Sequence, residues 1–196
     1  MQLIIKIALP ALIFAGAILS SASSAQAAPA PHESVLEVAF TYTGTGSNLV
    51  DSSRFWMQGG AVQLHGQFYG GWGVVADVSG GHIANITSSG VGLDLITATF
   101  GPRYTWKPAH GRYSIYGQGL LGEGWGTNSV FPSPSGAETV ANNIAVKAGG
   151  GVTIDLARHF ALRAVEADYL RTQLPNSTTN VQNNLQLGAG IVLRLR

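Results

Sequence analysis

"YGQGLLGEGWG", residues 116–126, contains Gly117-x-Gly119-x-x-Gly122, the glycine spacing of a dinucleotide-binding turn. Read as such a turn, it opens an α/β fold; read as extended chain, it belongs to a sheet. The nucleotide reading requires a strand before the glycines, a helix after them and an acidic residue about 20 positions on. The chain instead continues with "EGWGTNSV" and then "FPSPSG", whose glycines and prolines stop a helix. Glu138 is an acid, but no strand–helix–strand unit contains it. No nucleotide, and no other cofactor or metal, is expected. The glycines read as part of a strand, where they let neighbouring side chains fit a narrow space and let the sheet bend. Ser114, Tyr116, Gln118 and Leu120 are expected on its enclosed face and Tyr113, Ile115, Leu121 and Trp125 on the other, because Gln118 is costly to bury in an apolar medium.

Outward from this stretch the pattern has period two, the signature of strands. "SVLEVAFTYTG" sets Leu36, Val38, Phe40 and Tyr42 against Glu37, Ala39 and Thr41. "YGGWGVVADVS" sets Trp72, Val74, Ala76 and Val78 against Gly73, Val75 and Asp77. "LITATFGPRYTW" sets Ile96, Ala98, Phe100, Tyr104 and Trp106 against Thr97, Thr99 and Arg103. Ile144, Val146, Val152, Ile154 and Leu156 oppose Lys147, Thr153 and Asp155, and Leu185, Leu187, Ile191, Leu193 and Leu195 oppose Gln186, Gly188 and Arg194. With runs near 55–65, 113–125 and 161–171 the total is eight, and no segment sustains a helical period.

The connections alternate in length. "HGQ", "KPAHGR" and "ARH" are short; the segments 44–54, 79–92, 126–141 and 173–183 are long and polar. That rhythm is an up-and-down barrel with short turns on the periplasmic side and loops outside. The N-terminus places the chain in the export pathway. Lys6 is followed by the apolar "IALPALIFAGAIL", and Ala25-Gln26-Ala27 is a secretory cleavage pattern. Residues 7–19 fall short of the roughly 20 a membrane helix needs. The expected organisation is a signal peptide over 1–27, a short segment over 28–34 and one barrel over 35–196. Without Lys6, ten Lys and Arg face ten Asp and Glu, so no electrostatic feature calls for nucleic acid. The chain has no Cys, and charged residues are only 11%, far below the roughly 25% of soluble domains. Much of its surface therefore does not face water.

A membrane barrel inverts a soluble one, with apolar residues outside and polar ones within. Three details favour inversion. Aromatic residues gather at strand ends, giving a girdle of Tyr42, Phe55, Trp56, Tyr69, Trp72, Tyr104, Trp106, Tyr113, Trp125 and Tyr169. Tyr113 and Trp125 share a face at a spacing that spans roughly 28 Å of tilted strand, close to a hydrocarbon core. The opposite face offers Thr, Gly, Gln and a few ions, a poor apolar core but a suitable polar filling for an eight-stranded interior. The fold class is all-β, an eight-stranded antiparallel up-and-down transmembrane β-barrel. "HFALRAVEADYLRT" followed by "NNLQLGAGIVLRLR" resembles the last two strands of the small outer-membrane β-barrel family, the OmpA/OmpX-type barrels, and the layout of the whole mature chain is similar. The resemblance implies residence in the bacterial outer membrane, contact with its lipids and insertion by the barrel-assembly machinery. Members usually end in an aromatic residue; this chain ends in Leu195-Arg196.

Glu166 and Asp168, two apart, share a face that should be the lumen, since carboxylates in lipid cost kilocalories. They could act as an acid and base pair, but Arg103, Lys147 and Arg194 face inward by the same phases, so a structural ion network of Glu37, Asp77, Arg103, Lys147, Glu166, Asp168 and Arg194 is expected. For strand two the faces stay open, since Gln58 and Gln63 fall on opposite phases and a bulge could separate them. Among the histidines, His65, His110 and His159 are expected in short turns, His82 in a long loop near Ser79, Ser88 and Ser89, and His32 before the barrel. None has Ser or Asp beside it on a shared strand face, and there is no Gly-x-Ser-x-Gly elbow. A non-enzymatic envelope or surface-interaction protein with a plugged lumen is expected, any ligand being met through the loops. The other readings are a narrow pore, a soluble lipocalin-like carrier and an outer-membrane lipid-modifying enzyme.

Overall fold

The computed structural model describes residues 35–48, 54–86, 90–109, 111–176 and 179–195. The expected signal peptide, the segment 28–34, His32, His110, Ser88, Ser89 and Arg196 lie outside them. Eight strands run in order: β1 (Val35–Asn48), β2 (Arg54–Tyr69), β3 (Trp72–Ile83), β4 (Leu93–Trp106), β5 (Tyr113–Ser133), β6 (Gly136–Asp155), β7 (Phe160–Thr172) and β8 (Gln182–Leu195). Each pairs antiparallel with the next, and β8 returns to β1, from Leu36↔Leu195 to Gly46↔Leu185, closing the barrel. The described residues contain no helix. Closure leaves no open edge along the wall, the condition for a sheet to sit in lipid.

Alternation sorts the side chains inside out. On β4, Phe100 is 52% exposed while its neighbour Thr99 is 4% exposed; on β1, Phe40 and Tyr42 are exposed and Thr41 and Thr43 buried. The same phase buries Asp77, Lys147, Gln186 and Arg194 and exposes Val78, Val146, Leu187 and Ile191. Eight of the predicted girdle residues, Tyr42, Trp56, Tyr69, Trp72, Tyr104, Trp106, Tyr113 and Tyr169, are exposed, and Trp125 shares the outward phase but is half-buried. Trp72 packs on Tyr104 at 5.1 Å and Trp106 meets Tyr113 edge-on at 6.4 Å, geometries favourable to aromatic quadrupoles.

The structure corrects several boundaries. Strand β2 runs in unbroken register against β1 from Val35↔Gln67 to Asn48↔Arg54, so no bulge separates its two glutamines. Gln63 faces the lumen; Gln58 faces out and accepts a 3.0 Å hydrogen bond from the Tyr42 hydroxyl. By the same phase Phe55 is buried within, not on the girdle. The β2–β3 turn is Gly70-Gly71 instead of "HGQ", with φ of +51° and +92°, the doubly left-handed pair that a two-residue hairpin demands. Most of the expected loop 126–141 is strand. Strands β5 and β6 continue to Ser133↔Gly136, although β4 pairs only to Thr127 and β7 only to Ala145, so their hairpin rises past both neighbours. Finally, β7 carries a bulge: Val165 lies opposite Val152, but Arg163 lies opposite Thr153, and Ala164 and Val165 are both exposed.

Candidate functional site

The bulge at Ala164 and Val165 decides what the lumen contains. Strict alternation would send Arg163 into lipid if Glu166 faced inward; the extra residue turns both inward. Arg163 Nη1 donates to Glu166 Oε2 at 2.6 Å and to Gln63 Oε1 at 2.6 Å. Arg103 Nη2 donates to the same Gln63 oxygen and to Gln118 Oε1, both at 2.5 Å. The Gln63 amide nitrogen donates to Asp77 Oδ2 at 3.0 Å and Glu166 Oε1 at 2.8 Å. One neutral amide thus links two guanidinium groups to two carboxylates, using both its donors and both acceptor sites. Lys147 Nζ meets Asp77 Oδ1 at 2.5 Å and the Ser79 hydroxyl at 3.1 Å. The Gln118 amide donates to both oxygens of Asp168, at 3.1 and 3.2 Å. Tyr116 donates to Glu166 Oε2 at 2.8 Å, and Arg103 lies 4.2 Å above its ring. Three cations and three carboxylates are enclosed together. Opposite them, a Cβ on Gly149 would come within 2.3 Å of Asp168 Oδ1, and one on Gly151 within 2.7 Å of the Tyr116 hydroxyl. Gly149 and Gly151 leave room for these side chains and for the neighbouring β7 carbonyls, while Gly150 between them faces out.

A second ionic group closes the end where the short turns lie. Arg194 Nε donates to Glu37 Oε1 at 2.7 Å and Nη1 to Asp155 Oδ1 at 2.5 Å; Lys107 also pairs with Asp155. His65, expected in a turn, is instead buried on β2 with Nδ1 3.1 Å from Glu37 Oε2. All seven predicted network residues therefore lie in the lumen, divided between two groups. Arg163, Gln63, Tyr116, Gln118, His65 and Asp155 complete them.

The upper lumen differs from expectation: beside buried Ser47, Thr172 and Asn184 it holds an apolar cluster. Phe55, Met57 and Leu95 pack with Leu170 and Leu174, and Phe131 comes in from the raised hairpin. Ile83, Ile86, Leu93 and Ala141 cover this cluster. In the sequence its signal is that Phe55 and Met57 share the phase of Gln63 and so of the lumen. Outside, His82 lies on β3 and pairs with Asp94 of β4, so this histidine does have a carboxylate beside it on a shared face. His159 sits in the β6–β7 turn, Nδ1 3.1 Å from the Arg194 carbonyl.

An eight-stranded closed sheet with ions within and aromatic and aliphatic residues without defines the fold of the small outer-membrane β-barrels. No family model matches the chain, and no curated protein does. Among solved structures it is similar to Neisserial surface protein A, with TM-score 0.63 and 12% identity, over 82% of this chain and 97% of that one. It is similar to Ail, the attachment invasion locus protein of Yersinia pestis, with TM-score 0.57 and 19% identity, over 83% of this chain and 99% of that one. The outer-membrane protein OprG of Pseudomonas aeruginosa matches at TM-score 0.50 and 10% identity, over 83% and 96%. At such identities the likeness establishes the fold.

Proposed function

We propose that the chain is an exported, non-enzymatic integral protein of the bacterial outer membrane, its lumen plugged and its loops presented to the medium. The observation that carries this reading is the filling of the lumen cross-section by mutually bonded side chains. From Asp77 and Lys147 through Gln63, Arg103 and Gln118 to Asp168, every link is a direct hydrogen bond. Above this layer, a cavity of about 10 Å³ lined by Thr45, Met57, Ser79, Leu95, Thr97, Leu170 and Gln186 has room for about one water. Purified protein in planar lipid bilayers should be electrically silent; discrete conductance steps would replace this reading with the narrow pore.

Two other roles fit less well. A soluble carrier would turn Phe40, Phe100 and Leu187 inward, and all three face out. A lipid-modifying enzyme needs an imidazole between an acid and a hydroxyl, whereas the register His82↔Asp94↔Thr127 puts the acid in the middle. Lipopolysaccharide incubated with the protein should keep its acyl chains. Ail was crystallised with a heparin analogue, sucrose octasulfate. Here the described residues at the loop end set only Arg54 and Arg171 against Asp94, Glu123 and Glu138, a poor match for a polysulfate, so any loop partner is not expected to be strongly anionic. The remaining contacts are with the membrane lipids and, during biogenesis, the insertion machinery.

A further inference from the structure

Two glycines of the stretch 116–126 have no cause inside the protein. A Cβ on Gly119 would meet nothing within 4 Å, and one on Gly117 only the Gly149 carbonyl oxygen at 3.9 Å. Neither has a left-handed φ. Gly122 differs, since its Cβ would lie 2.0 Å from the Ala98 oxygen. Both Gly117 and Gly119 face outward, and the register sets them against Gly150 and Ala148, with Ala167 next across β7. Five small residues on three adjacent strands leave a shallow furrow in the outer wall, headed by Leu121 and Val146, which pair above it.

The furrow ends at Ile115 and Val152, which pair below Gly117 and Gly150 on the same outward phase; below these come Trp106 and Tyr113, and then residues 107–109, 111–112 and 156–159 at the short-turn end. These two turns are held side by side, since Asp155 N donates to the Arg112 carbonyl at 2.7 Å. Together they carry Lys107, Arg112 and Arg158. Asp155 is shared by Lys107 and Arg194, while Arg112 and Arg158 are exposed and form no ion pair among the described residues. Guanidinium groups without a carboxylate partner, an interfacial aromatic pair and, above Ile115 and Val152, the furrow of small residues follow one another up the outer wall.

We propose that this line is a site for one anionic phospholipid of the periplasmic leaflet. Arg112 and Arg158 take the phosphodiester headgroup, Trp106 and Tyr113 mark the interface, and one acyl chain lies along Gly117, Gly119 and Gly150. Guanidinium forks match phosphate oxygens, and aromatic rings prefer headgroup depth. The site rests on the membrane embedding proposed above, with the short turns on the periplasmic side.

The test is native mass spectrometry of the full chain in detergent, offered phosphatidylglycerol or phosphatidylcholine. Wild type should retain phosphatidylglycerol about thirtyfold better, the effect of two cations beside a membrane. R112Q/R158Q should erase that preference. G117L/G119L should weaken retention of both lipids and leave their ratio unchanged. Glycerophosphoglycerol, the headgroup without acyl chains, should not displace the lipid. Equal retention by wild type, a preference that survives R112Q/R158Q, or displacement by the free headgroup would each overturn the site. Heat-shifted gel migration keeps the two readings apart. Its presence without lipid preference sinks the lipid site alone, and its absence in wild type sinks the embedding and the site together.

Discussion

The lower lumen is built around ions and the upper lumen around an apolar cluster. In the lower half, charge is enclosed and every ion has a bonded partner; in the upper half, Phe55, Met57, Leu95, Phe131, Leu170 and Leu174 form an apolar cap. The two answer different demands. Ions pointing inward spare the wall from carrying them in lipid, and once enclosed they must be paired because the interior screens poorly. The mouth has no ions to hide, and its residues bury apolar surface against a hairpin that rises past the wall. The contrast teaches that inward does not mean polar in this fold. Inward means whatever the neighbouring inward residues can satisfy.

The sharpest break is deletion of Ala164. Without the bulge, either Arg163 or the pair Glu166 and Asp168 must face hydrocarbon, at about 2–4 kcal/mol for a cation near the midplane plus the loss of the network. The variant should fail to give a heat-shifted barrel on a gel, while A164G should still give one. Next, K147M leaves the fully buried Asp77 carboxylate without its cation and should cost about 3–5 kcal/mol in urea unfolding from lipid vesicles; K147M/D77L should recover most of it. Q63L removes the amide shared by Arg103, Arg163, Asp77 and Glu166 and should cost about 2–3 kcal/mol by the same measurement, as buried donors and acceptors lose their partners. Mildest is F131A in the cap. Phe→Ala costs about 3–5 kcal/mol in rigid cores, but a hairpin free to settle should hold the loss to about 1–2 kcal/mol, with faster amide exchange confined to residues 126–141. If F131A destabilised the barrel as much as K147M, the two halves would not be energetically distinct.

Much of the architecture is legible in the sequence because a strand buried on one face repeats every two residues, and five of the eight strands carry that repeat with few interruptions. Gln118 alone places the face of β5, since an amide in lipid is costly. Failures come where the period breaks or where a residue type has two uses. Arg163 is invisible to strict alternation, yet its charge on the phase opposite Glu166 and Asp168 is a signal, since a bulge is the simplest way to enclose all three. Phe55 reads as a girdle residue because aromatics at strand ends serve both the girdle and the cap; Met57 and Gln63 on its phase separate the two. Phe131 in "FPSPSG" has no place in the sequence pattern, because prolines argue for a loop and the supporting contact with Leu174 is distant in sequence. His82 and Asp94 meet only through the β3–β4 register, which the long connection between them hides.

An inside-out barrel requires Phe100 and its phase to face acyl chains while Thr99 and its phase are enclosed. The chain has no native cysteine, so single cysteines at Thr97, Ala98, Thr99 and Phe100 can each carry a nitroxide in liposome-embedded protein. Collision with dissolved oxygen, which concentrates in the bilayer, should be high at 98 and 100 and low at 97 and 99. Uniform values, or the opposite alternation with 97 and 99 more accessible, would contradict that orientation.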